Sequence, residues 1–261
     1  MAIKPFVLQY PDLTTMEVMC VGDFHIGDAN HAPKVLSDIV DWASGAANRF
    51  ITIDGDIFNA ALTSSISDVY SEEFTLDECM ELFAKFIDDI TPEKILVCID
   101  GNHDQRVWKS VGIDPVKYVC QSKGVRYSSG EAYVTVKLGC WDKSKPVGKR
   151  PMINYTIYVT HGVGGGRSAG GKVNSLMRLS EIVVADIYIQ GHQHDPVIKP
   201  KVINEWNSKC NGIIEREQMF VVTGSCLERG GYAVAKAYPP VCTKSPVLTL
   251  SGESKQIKAS I

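Results

Sequence analysis

The chain lacks any long apolar run: nothing in its 261 residues approaches the roughly 20 consecutive apolar positions of a membrane helix, so no spanning segment is expected. Its first twenty residues carry no continuous apolar stretch either, and Asp12 interrupts them, so they do not read as a secretory signal. Positive charge is not in excess. With 27 Lys and Arg against 30 Asp and Glu the net charge is −3, which leaves no global field for holding nucleic acid. Lys143, Lys145, Lys149 and Arg150 form a local basic cluster that reads as a solvated loop first and as a nucleic-acid contact second. The eight cysteines form no C-x-x-C pair, and Cys20 and Cys98 lie inside apolar runs. They read as buried free thiols of a reducing cytoplasm, not as disulfides or a zinc knuckle. Internal repeats are absent, and low complexity is confined to one glycine cluster.

What remains is an ordinary globular composition, 44% hydrophobic and 22% charged. Strand-length apolar runs at 16–22, 49–54 and 94–100 alternate with amphipathic stretches at 32–47 and 72–90. In the second stretch Phe74, Cys79, Leu82, Phe83, Phe86 and Ile87 recur close to a helical period. This β-α-β-α-β order predicts parallel strands in the first half. The second half reads as strands at 133–139, 153–162, 185–192, 219–225 and 246–252, with helical character only at 172–183. Two sheets packed face to face with helices outside are expected. The segment 140–152 reads as a polar turn.

Histidine is scarce, and its placement is informative. Five of the six histidines fall in polar clusters that follow strand-like runs: Asp23-Phe24-His25, Gly101-Asn102-His103-Asp104, His161-Gly162 and Gly191-His192-Gln193-His194, with Gly55-Asp56 completing the set. Loops at strand ends of an α/β sheet converge on one edge, where ligands gather. Asp23 and His25 are two apart, as are His192 and His194, which points both members of each pair the same way on extended chain. Carboxylate, imidazole and amide oxygen together suit Mn²⁺, Fe²⁺ or Zn²⁺ more than Ca²⁺. His31, at a predicted helix start, reads as a surface or capping residue.

The ordered motifs DFH, GDIFN, GNHD, THG and GHQH resemble the signature of the calcineurin-like metallophosphoesterases: D-x-H, G-D-x-x-(D/N/H), G-N-H-(D/E), a lone histidine and G-H-x-H. The resemblance implies a single domain over 1–261, built as a four-layer α/β/β/α sandwich of two mixed sheets flanked by helices. It also implies two divalent ions, Mn²⁺ foremost, with Fe²⁺, Zn²⁺, Ni²⁺ or Mg²⁺ as alternatives. One ion would take Asp23, His25, Asp56 and His194; the other would take Asp56, Asn102, His161 and His192, with Asp56 shared. A water activated between the ions would attack phosphorus, and His103 would protonate the leaving oxygen.

Asn59-Ala60 stands where protein phosphatases of the family have Asp-Arg, and GNHD stands in place of GNHE. Together with GDIF these features are more similar to the DNA-repair nucleases of the Mre11 and SbcD type. The expected substrate is therefore a phosphodiester, nucleic acid or nucleotide. A small-substrate phosphomonoesterase or a cyclic-nucleotide phosphodiesterase is the alternative, and a non-catalytic scaffold using the same cleft is a third reading. Asn59, Arg106, Arg167 and Lys172 are expected to meet substrate. Gly166 to Lys172 matches seven positions of a P-loop, but Val173 lacks the hydroxyl needed for Mg²⁺, so the stretch reads as a glycine-rich loop beside the metals. Asp28, Asp54, Asp104 and Asp195 flank the motifs as residues that could orient imidazoles or serve ordinary turn and capping roles.

Overall fold

A computed structural model describes the chain except residues 1–3, 64, 66–68, 140–143, 145–150, 163–167, 209, 232–233, 235–239 and 241. In chain order the strands and helices are β1 (Lys4–Tyr10), β2 (Thr15–Val21), α1 (Pro33–Ser44), β3 (Arg49–Ile53), α2 (Leu76–Ile90) and β4 (Ile95–Ile99). Then come α3 (Asp104–Val111), α4 (Pro115–Lys123), β5 (Tyr127–Ser128), β6 (Glu131–Leu138), β7 (Ile153–Thr160) and α5 (Ala169–Met177). The chain closes with β8 (Ile187–Gln190), β9 (Val197–Asn207), β10 (Gly212–Val222), β11 (Val247–Ser251) and β12 (Ile257–Ser260).

Two six-stranded mixed sheets result, ordered β12-β11-β2-β3-β4-β5 and β1-β6-β7-β8-β10-β9. In the first, β2, β3, β4 and β5 run parallel, as the alternation of strands and helices predicts. In the second, β7, β8 and β10 run parallel. The sheets face each other across a core of Val18, Cys20, Leu96, Val134, Ile157, Ile187 and Val221. A second cluster joins the outer face of the first sheet to α1, α2 and α4 through Ile39, Phe83, Phe86 and Val119. A third packs Leu176 of α5 against Tyr188 and Phe220 of the second sheet. The layers are therefore helix, sheet, sheet, helix.

Burial explains the sequence patterns. β4 is buried at all five positions, being covered on both faces, and so reads as a continuous apolar run. β6 alternates between buried and half-buried residues, with Ala132, Val134, Val136 and Leu138 turned inward. α2 begins with a capping box in which Thr75 and Glu78 satisfy each other's backbone N–H groups. Its buried face is Cys79, Phe83, Phe86, Ile87 and Ile90, whereas Phe74 and Leu82 are exposed. Those two residues belong to the solvent side and not to the core stripe. β1, β5, β9, β12, α3 and α4 are not apparent in the sequence patterns. The predicted turn at 140–152 falls largely on residues outside the described set.

Candidate metal centre

Each of the five motifs lies just beyond the C-terminal end of a parallel strand. Asp23 and His25 follow β2, Asp56 and Asn59 follow β3, Asn102 and His103 follow β4, His161 follows β7, and His192 and His194 follow β8. The first two loops remain paired after the strands end: Asp23 N–H donates to Gly55 O at 2.9 Å, and His25 N–H to Asp56 O at 3.0 Å. The third loop is locked to the second by Asp104. Its buried carboxylate accepts from the N–H groups of Ile57 (3.2 Å), Phe58 (2.9 Å) and Gly101 (2.8 Å). Gly101 packs against the Asp56 carboxylate so closely that a Cβ there would overlap it.

The backbone at the site is unusual. Asp23, His25, Asp56, His192 and His194 all have φ between 49° and 68°, the left-handed region that side chains other than glycine rarely enter. Five such residues in one cluster mark backbone strain held by its surroundings. Asp23, for example, is fixed by Cys226 N–H (3.0 Å) and the Ser225 hydroxyl (3.1 Å), both donating to its carbonyl.

The side chains converge. Ligand atoms of Asp23, His25 and His194 lie within 4.8 Å of one another, as do those of His25, Asp56 and His103, and those of Asp56, His161 and His192. His25 Nε2 is 3.2 Å from His194 Nε2, and His194 Nε2 is 3.2 Å from Asp23 Oδ1. Asp56 Oδ2 is 3.1 Å from His161 Nε2 and 4.0 Å from both His25 and His103 Nε2. Asn102 Oδ1 is 3.0 Å from His161 Nε2, so all seven residues expected as ligands share one site.

This arrangement fits divalent cations. Asp23 Oδ1 is buried without a well-formed hydrogen bond, and it faces two imidazole nitrogens that also face each other. His161 Nδ1 is 2.9 Å from the Asp54 carbonyl; in the neutral ring, donation there leaves Nε2 a lone pair facing the oxygens of Asp56 and Asn102. Acceptors aimed at one another are the arrangement that a cation between them relieves, and a backbone partner on the far ring nitrogen is usual for a metal-binding imidazole.

Electrostatics agree with this crowding. Burial alone would raise the Asp56 carboxyl, but the His161 hydrogen bond and three neighbouring imidazoles hold it below the usual carboxylate range. Burial would lower His161, yet Asp56, Asp23 and Asp54 raise it to about 10, so that a proton on Nε2 takes the place a cation would fill. His25 is pushed well below its ordinary value by burial and then by His103. Burial lowers His192 too, with His161 adding to the effect.

His103 has its Nδ1 3.0 Å from the Asn59 carbonyl and 3.2 Å from Asn59 Oδ1. Asn59 is itself held by Glu72, which accepts from its Nδ2 at 2.5 Å. Arg106 donates to His103 Nε2 (2.9 Å) and to the Asn59 carbonyl (3.1 Å). Lys172 bonds the Gln193 carbonyl (3.2 Å) and Asp195 (3.1 Å), bracing the loop between His192 and His194. Arg167 lies outside the described residues, as do the basic residues 143, 145, 149 and 150. His31 is half-buried, with Nδ1 2.9 Å from the Phe24 carbonyl, so it ties down the first loop and is neither a surface residue nor a cap. Asp54 reaches His161 through its main-chain carbonyl, and Asp28 accepts from Asn30 in a local turn. Glu72, Ser225 and the Asp54 carbonyl were not foreseeable from any motif: two act at a distance in sequence, and the third acts through backbone.

A model of the calcineurin-like phosphoesterase family matches residues 16–196, well over half of the chain. The chain belongs to the calcineurin-like phosphoesterase family. No curated protein sequence matches it significantly. Among solved structures, it is similar to a Streptococcus pneumoniae protein described as a predicted phosphoesterase, with 13% identity, TM-score 0.40, and 95% of this chain and 90% of that one covered. Vps29 from Entamoeba histolytica, complexed with Zn²⁺, shares 12% identity at TM-score 0.38, with 94% and 97% covered. The Pseudomonas putida nuclease MPE shares 12% identity at TM-score 0.38, with 93% and 87% covered. No helix among the described residues is long and apolar enough to cross a membrane.

Proposed function

We propose that the chain, acting as a single domain, is a two-metal phosphodiesterase for nucleotides or nucleic acid. The observation that carries this reading is the convergence of two carboxylates, four imidazoles and an amide oxygen from five strand-end loops in a member of a phosphoesterase family. Asp23, His25 and His194 would hold one ion, Asn102, His161 and His192 the other, and Asp56 both. Asp56 appears in two of the three ligand groupings, once with His25 and His103 and once with His161 and His192. Two divalent ions, Mn²⁺ foremost, would supply a nucleophile at neutral pH and a clamp on the phosphoryl oxygens.

The chain's own residues do the rest. His103 is held by Asn59 with its Nε2 toward the cluster, where a leaving oxygen would need a proton. Arg106 now donates to that nitrogen, so the acid form of His103 requires Arg106 to turn away, and a phosphate oxygen is the natural partner to draw it. Asn59 in place of the protein-phosphatase aspartate, together with GNHD, supports a diester over a phosphoprotein substrate. Among the described residues, five buried cysteines without a disulfide fit a reducing compartment such as the cytoplasm.

The test is metal analysis joined to a substrate panel. Two ions per chain and Mn²⁺-dependent hydrolysis of bis(p-nitrophenyl) phosphate are expected, with Asp56→Asn losing more than one ion. Efficient hydrolysis of p-nitrophenyl phosphate alone would replace this reading with a monoesterase. Two bound ions with no turnover of any ester would indicate a scaffold.

A further inference from the structure

A groove of about 900 Å³ opens beside the cluster, with Asn102 and His161 in its lining. Its walls come from the β4–α3 loop, the start of β6, the end of β7, and α5 with the short 3-10 turn Arg178–Glu181 that follows it. The volume is within the range of sites for small organic ligands, roughly 300–1,000 Å³. Because candidate metal ligands line it, a substituent on a phosphorus held at the cluster can extend into it.

Charge indicates which part of a substrate that is. Among the described residues, Asp100, Glu131 and Glu181 line the groove against one cation, Arg178. A chain of further phosphates would meet net negative charge, the reverse of what polyanion binding draws on. The charge of the described lining thus favours an uncharged occupant. Hydrogen bonding narrows it further. Gln190 also lines the groove, 1% exposed, and its Oε1 has no hydrogen-bond partner. A buried acceptor left unpaired is costly, and a donor on the ligand would satisfy it. Asn174 and Gln105 add two more amides, the side chains best suited to paired hydrogen bonds with base edges. Leu179 and Ile182 supply apolar surface that a simple polyol would not use.

We infer that this groove binds the uncharged nucleoside arm of a phosphodiester, so that a single nucleoside and not a continuing polynucleotide lies on the Asn102–His161 side of the site. The inference rests on the phosphodiesterase reading above. Two esters with the same leaving group separate them: methyl p-nitrophenyl phosphate and thymidine 5′-(p-nitrophenyl phosphate). For the Mn²⁺-loaded full chain, kcat/KM for the thymidine ester should exceed that for the methyl ester at least thirtyfold. Ser175→Trp, which fills the groove from α5, should remove most of that gain and leave the methyl ester within about threefold. A 3′-phosphate added to the thymidine ester should lower kcat/KM at least tenfold, and Glu181→Lys should recover part of the loss. Equal rates for the two parent esters, or equal losses on both in Ser175→Trp, would overturn the groove assignment while leaving the phosphodiesterase intact. Hydrolysis of neither ester would overturn the phosphodiesterase reading, and the groove's role with it.

Discussion

His103 shows how much a single side chain here depends on its neighbours. Asn59 fixes one ring nitrogen and Arg106 the other, while its own backbone N–H donates to Asp56 Oδ1 at 2.8 Å. His103→Ala should keep the metals and slow esters with poor leaving groups by roughly 10²–10⁴-fold, the usual span for a general acid. Nitrophenyl esters, whose leaving group needs little protonation, should lose far less. Equal losses on both, measured with metal content unchanged, would remove the acid role. At this scale the sequence was most informative, because metal chemistry is written in residue identity: D-x-H and G-H-x-H are short, local and chemically distinctive. Glu72, which steadies Asn59 from thirteen positions away, carries no such mark. Neither does a backbone carbonyl such as that of Asp54.

Elements were legible in proportion to the regularity of their burial. β6 alternates strictly and β4 is apolar throughout, so both read as strands. β9, KPKVINEW at its centre, contains Pro200 and is mostly exposed, and nothing in its sequence betrays a strand. α3 and α4 are 8 and 9 residues long, and α3 begins inside the GNHD motif, so both are too short for a period to emerge. The pairing of β10 with its surroundings turns on Asp186, a 1% exposed carboxylate. It accepts from Arg216 (2.9 Å), Lys255 (2.8 Å), and the Thr156 N–H and hydroxyl (2.8 Å each). Burial would raise its pKa, but these donors hold it below the ordinary value. A carboxylate depressed in the folded state stabilises at neutral pH and loses that contribution as pH falls through the acid range. Asp186→Asn should therefore destabilise the protein by roughly 1.5–3 kcal/mol at pH 7, toward the lower end because Lys255 is half exposed. Urea titrations at pH 7 and pH 3 check this: the difference should shrink at the lower pH, and a constant difference would assign the effect to packing.

For the whole molecule, the two sheets bring together loops that are up to 171 residues apart, Asp23 to His194, and only their joint folding makes the cluster. The layered sandwich was accessible from the resemblance more than from pattern, because parallel order in one half and strand-rich sequence in the other admit several arrangements. Ligands that bind only the native state stabilise it by mass action. Mn²⁺ should thus raise Tm in proportion to the logarithm of its concentration above Kd, and a chelator should reverse the shift. Asp56→Asn should flatten the dependence. A Tm indifferent to Mn²⁺ in scanning calorimetry would mean that the cluster is not a native-state metal site.

The left-handed residues at the cluster carry an evolutionary consequence. Each non-glycine side chain in that backbone costs about 1–2 kcal/mol relative to a relaxed conformation. Glycine at Asp23, His25, Asp56, His192 or His194 would lift that strain. Selection for thermal endurance alone would then drift toward glycine at these five positions, and the hardiest descendants of this chain would be inert. Keeping aspartate and histidine there requires continued selection for what the cluster does.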